Sequence, residues 1–152
     1  VKNWQIFFLA LLLCALAAAA IPWIYQRSQF LTAPQVQINR ELWENSKPAS
    51  YTLHILKTDG TSKTAVLLRV APGQERVCRE NGSFLGQDQA AKWMPEALFD
   101  QLSQWLAEAA TDPGQHYLTA RFHPQYGLPI RSVFRAKIQG KRVEIQVAIQ
   151  TE

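Results

Sequence analysis

The side chains of this chain that could do chemistry are few: three histidines, two cysteines and a loose row of cations. A metal or catalytic centre needs its ligands to converge on one point. His116 and His123 belong to one alternating run, "HYLTARFH", and are separated by an odd number of residues. Strand side chains alternate between faces, so these two point opposite ways. His54, in "YTLHILK", falls on an outward face beside Thr52 and Leu56. The three therefore read as surface histidines. Cys14 sits inside the apolar N-terminal run, which leaves Cys78 as the one thiol downstream. That count excludes a CxxC pair or an internal disulfide in the downstream part. Cys78 is expected beside Leu67 as a small packed hydrophobe. No GxSxG elbow occurs, and "GSFLG" lacks the lysine of a phosphate loop. Asp59, Asp88, Asp100 and Asp112 all occupy turn or helix-end positions. No catalytic residue, metal or cofactor is expected.

The cations carry more promise. Arg121, Arg131, Arg135 and Lys137 are expected to project from the solvent face of the last strands. Such a row would attract bilayer head groups, an anionic glycan or an acidic partner. The plainer reading is a solvated sheet face. Beside this row lies "HPQYGLPIRS", residues 123–132. Pro124 and Pro129 cannot donate ladder hydrogen bonds, Gly127 can take positive φ, and Tyr126 can cover the end of a core. These are devices for a corner between strands. The alternative is a recognition loop built on His123, Tyr126, Gly127 and Pro129. The net charge of +4 is spread out, with no long basic run, which argues against a nucleic-acid partner.

The elements that must position these residues follow from hydropathy patterning. Thr32 as N-cap, Pro34 in the first turn and Pro48 as a stop predict a helix whose docking face holds Ile38, Leu42 and Trp43. "YTLHILK", "KTAVLLRV" and "ERVCRE" read as three strands. A turn centred on Asp59-Gly60 sets Leu53 opposite Val66 and Tyr51 opposite Leu68. A turn centred on Pro72-Gly73 sets Leu68 opposite Val77, so that one apolar face continues across all three. "MPEALFDQLSQWLAEAAT" is an amphipathic helix, with Leu98, Leu102, Trp105, Leu106 and Ala109 on its buried stripe. "LTARFH" resumes alternation, and the segment from Leu128 to Gln150 forms a hairpin about Gln139-Gly140. That fold pairs Phe134 with Ile145, Ala136 with Val143 and Arg135 with Glu144, with Ile138 on the apolar face and Arg131 and Lys137 in water. The order is α-βββ-α-βββ, an α+β fold with an antiparallel sheet and helices on one face.

Before it runs "WQIFFLALLLCALAAAAIPWIY", Trp4–Tyr25, without a charge. As a helix it spans roughly 33 Å, close to the ~30 Å hydrocarbon core. Trp4, Trp23 and Tyr25 suit the two interfaces, flanked by Lys2 and Arg27. Residues 1–27 are thus expected to be a membrane anchor, 28–33 a stalk and 34–152 an extracytoplasmic domain. The short N-terminal tail favours a single-pass inner-membrane protein with its domain in the periplasm. The alternative is a signal peptide cut near Ala20, releasing the domain. A lipoprotein would need a small residue directly before Cys14, and Leu13 stands there.

A Trp-containing helix, "YTLHIL", a strand ending in a Gly turn, "PEALFDQLSQWL", then a strand and "YGLP" together resemble a bacterial envelope family known only as a domain of unknown function. The resemblance covers roughly residues 40–150 and implies export, membrane attachment and the same α+β fold. Members of that family often carry cysteines in the first hairpin and acidic residues after the corner. Here Thr58, Lys63, Arg135 and Lys137 stand in those places, so no role tied to those groups transfers. Three functions remain open: a non-enzymatic, membrane-tethered domain binding an envelope protein or an anionic surface; an enzyme acting on an envelope substrate near Tyr126 and His123; and a structural subunit of a membrane assembly.

Overall fold

The structure is a computed structural model that describes Trp4, residues 6–16, Ala18 and residues 30–151. It divides into two compact units, Val1–Phe30 and Leu31–Glu152. In the first unit residues 6–16 are helical. Among the described residues no helix is long and apolar enough to cross a membrane. The expected span Trp4–Tyr25 lies partly outside the described residues, as do its flanking Lys2 and Arg27 and the cleavage position Ala20.

The second unit opens with α1 (Ala33–Ser46). Thr32 is its extended N-cap, and the Gln35 Oε1 accepts a hydrogen bond from the Thr32 N–H at 3.0 Å. The helix ends before Pro48, which cannot continue it. Its docking face differs from the expected one: Val36 and Trp43 are buried, whereas Ile38 is 63% exposed. Trp43 is the largest apolar side chain available, and burying it fixes the rotation of the helix, turning Ile38 outward.

Strands β1 (Tyr51–Asp59) and β2 (Ser62–Val70) form a hairpin about Gly60, whose φ is +58°. Leu53 pairs with Leu68 and Tyr51 with Val70, two positions from the expected partners. An even shift keeps every side chain on its face. The join to β3 (Val77–Glu80) differs by one position: Leu68 pairs with Cys78, and Arg69 with Val77. Cys78 is therefore buried and Val77 exposed. The reason lies in the next two residues. Glu80 on the covered side accepts from Trp93 Nε1 at 3.1 Å and pairs with Lys92 at 3.2 Å, while Arg79 reaches the open side. The opposite register would have turned the longer Arg79 inward.

A short β4 (Ser83–Phe84), a helical turn α2 (Gln87–Ala90) and a 3-10 turn (Ala91–Trp93) were not anticipated. They lead into α3 (Pro95–Thr111), which buries Leu98, Phe99, Leu102 and Trp105. Strands β5 (His116–Phe122), β6 (Pro129–Ala136) and β7 (Lys141–Thr151) complete a seven-stranded antiparallel sheet in the order β4-β3-β2-β1-β7-β6-β5. The last strand thus pairs with the first, and the fold is α+β. In the β6–β7 hairpin, Phe134 pairs with Val143 and Ala136 with Lys141, again two positions from the expectation. The connection Lys137–Gly140 is longer than a two-residue turn, so Ile138 leaves the apolar face and stands 76% exposed.

One core cluster joins the buried side chains of α1 and α3 to one face of the sheet. Trp105 stacks on Phe134 at 5.4 Å, and Phe99 on Phe122 at 6.5 Å. Arg40 ties the two helices together by pairing with Asp100 and donating to the Glu96 carbonyl at 3.3 Å. Within the second unit, α1 and α3 lie on that face.

Candidate functional site

Within the second unit no helix lies on the opposite face of the sheet, and the strand registers decide what it displays. Along one cross-strand row stand Phe84, Arg79, Leu67, His54 and Ala148. The adjacent row holds Ala65, Leu56, Gln146, Arg131 and Arg121. Arg69, Arg135 and Arg142 share this face. Among the described residues Glu144 is the one carboxylate that the strands place among them.

Glu144 is fully engaged. It accepts from Arg131 Nε at 3.0 Å, Arg142 Nη2 at 2.8 Å and Gln146 Nε2 at 2.9 Å. The hydrogen bond from Gln146, followed by those from the two guanidiniums, holds the carboxyl below its ordinary pKa despite desolvation. This corrects the expected pairing: Arg131 is bound to Glu144 rather than left in water, and Arg135 faces Arg142. Arg135 lies over the Tyr117 ring at 5.8 Å. Lys137 is not on the row. It belongs to the hairpin connection, where its Nζ donates to the Gly114 carbonyl at 2.9 Å.

Two pairs of like charge sit directly opposite each other, Arg121 with Arg131 and Arg135 with Arg142. Such cross-strand pairs destabilise a sheet unless an anion lies between them. Glu144 supplies that anion to one member of each pair. Among the described residues no carboxylate pairs with Arg121 or Arg135.

Two shallow depressions lie on this face. One, of about 630 Å³, is lined by His54, Leu56, Arg121, Ile130, Arg131 and Gln146 among others. The other, of about 400 Å³, is lined by His54, Leu56, Ala65, Leu67, Arg79 and Gly82 among others. They lie side by side across the strands, with His54 and Leu56 lining both, and are together called the trough. Arg69, Arg79 and Arg142 were missed in the sequence. Their signal was alternation with apolar residues in "VLLRV", "VCRE" and "KRVEI", but only the register puts them beside one another.

The corner is a self-bonded turn against α1. The His123 N–H donates to Leu128 O at 2.7 Å, and the Gly127 N–H to His123 O at 2.8 Å. The His123 Nδ1 faces the N–H groups of Gln125 and Tyr126 at 3.3 and 3.4 Å, and the two rings stack at 4.8 Å. Gly127 has φ +70°, and a Cβ there would overlap the Asn39 carbonyl of α1. Leu128 and Pro129 are buried beneath it.

The other candidates are scattered. His54 and Cys78 occupy opposite faces of the sheet, and burial raises the pKa of the Cys78 thiol. His116 stacks on Phe134 at 5.6 Å. Among the described residues no three His, Cys, Asp or Glu side chains gather as a metal site. No protein-family model matches the chain, and no curated protein matches it.

Proposed function

We propose that this chain is a membrane-tethered, non-enzymatic binding domain of the bacterial envelope, and that it works through the face of its sheet opposite α1 and α3. One observation carries the reading. Arginines from five strands, β2, β3, β5, β6 and β7, project on one face, and the one carboxylate the described strand residues place among them, Glu144, is already saturated. A field of this kind draws anions and orients an approaching partner. The apolar run Trp4–Tyr25 supports tethering, and the envelope assignment rests on the resemblance carried by the "YTLHIL", "PEALFDQLSQWL" and "YGLP" motifs. The Nδ1 of His123 is turned to the N–H groups of its own corner, which supports a structural reading of that segment.

A photoreactive residue at Leu56, on the open face, and another at Gln104, exposed on α3, test the proposal in cells that make the protein. Adducts should concentrate at position 56. Equal adducts at both positions, or none at 56, would overturn the assignment of function to this face. Alkaline extraction tests the tether, because an anchored chain stays with the membrane fraction and a peripheral one is released.

A further inference from the structure

Resting on that reading, we infer that the trough is a docking site for one kind of partner: an acidic amphipathic helix of another protein. The floor of the trough is apolar, made by Leu56, Leu67 and Ala148, and cations stand at its two ends, Arg79 on β3 and Arg121 with Arg131 on β5 and β6. From β3 to β6 there are four strand spacings, about 19 Å. A helix of about 13 residues covers that length. Its apolar stripe would meet the leucines, and its carboxylates would reach the guanidiniums, with which they form two-pronged hydrogen bonds.

The alternatives fit less well. An extended peptide adds to a sheet at its edge, because interior strands have already spent their N–H and C=O groups in the ladders. Over the middle of this face only an element that satisfies its own backbone can lie, a helix or the face of another sheet, and a helix fits the roughly 19 Å between the cationic ends. A flat bilayer would meet the long arginine side chains before the alanine and leucines between them. A like-charge pair points the same way: Arg121 and Arg131 stand opposite each other at one end of the trough, and of the two Glu144 serves Arg131, so a partner carboxylate at Arg121 completes the set.

The test uses the full chain with benzoylphenylalanine at Ala148, photolysed in its own cells, and identifies the captured segment by mass spectrometry. That segment, made as a labelled peptide, is then titrated against the full chain in phosphatidylcholine nanodiscs. We expect a helical peptide of net negative charge whose Kd rises with salt. Arg121→Glu should weaken it about tenfold, and changing one peptide glutamate to arginine should recover the loss. Arg121→Gln serves as the second variant should the reversal not fold. A neutral or basic segment, a phospholipid or nucleic-acid adduct, another copy of this chain, or a Kd indifferent to Arg121 would overturn the acidic helix while leaving the open face as the binding surface. No adduct at either Ala148 or Leu56 would overturn both.

Discussion

The two faces of one sheet obey different rules here. On the helix-covered face, Leu53, Leu68 and Phe134 are fully buried, and packing alone accounts for their identity. On the other face, Leu56 is 38% exposed beside guanidiniums that stand opposite one another. The first face is complete within the chain. On the second, no carboxylate among the described residues pairs with Arg121 or Arg135, and that difference separates residues kept for folding from residues open to a partner.

The comparison can be broken most severely from the covered side. Phe134→Ala removes a ring stacked on Trp105 and should cost about 3–5 kcal/mol in urea unfolding, whereas Leu56→Ala on the open face should cost under about 1 kcal/mol. Similar losses at the two sites would mean that the open face is a second core. Next in size is Gly127→Ala, which forces a side chain onto the Asn39 carbonyl at positive φ and should cost about 2–4 kcal/mol. A neutral effect would show that the corner is loose against α1.

Glu144→Gln should cost about 1 kcal/mol near neutrality, because two arginines lose their carboxylate. Its pKa is depressed in the folded state, so the stability it adds is present above the ordinary 4.5 and is lost as pH falls through the lower folded value. Wild type and variant should therefore differ at neutral pH and converge in acid. The covered face titrates at the other extreme. Burial pushes the Tyr51 hydroxyl up to about 12, so its contribution holds below 10.0 and is lost as pH rises towards the folded value. Tyr51→Phe should flatten that alkaline loss. The smallest change is expected from Arg121→Gln, within about 0.5 kcal/mol of wild type in thermal unfolding. A larger loss would make Arg121 a structural residue and remove it from the binding surface.

Much of this was legible before any coordinates. The period of the α3 stripe announced Leu98, Leu102 and Trp105, and alternation announced β1, β2, β6 and β7 with the correct faces. Hairpin partners came out two positions away in both tight hairpins, an error that period-two alternation cannot detect, since an even shift leaves each face unchanged. The odd shift at β3 is another matter. A six-residue connection, Ala71–Arg76, leaves register to the competition between Arg79 and Glu80 for the covered side, and the partners of Glu80 lie in a short helical segment that hydropathy did not mark. The arginine face was half visible: Arg121, Arg131 and Arg135 could be placed by alternation, whereas Arg69, Arg79 and Arg142 needed the pairing, and Lys137 was lost to the hairpin connection.

By itself the sequence determined the class of fold, the apolar faces of β1, β2, β6 and β7, and the helix limits at Thr32 and Pro95. These are local matters, governed by period, capping and turn chemistry. Tertiary structure alone decided that β7 lies beside β1 and which register each strand pair takes, and through the registers the juxtaposition of Arg121 with Arg131 and of Arg135 with Arg142. The pairing of β7 with β1 brings Leu56 next to Gln146 although most of the chain lies between them. Such contacts depend on how far distant segments must move to bury their apolar sides together, and no window along the chain contains that information.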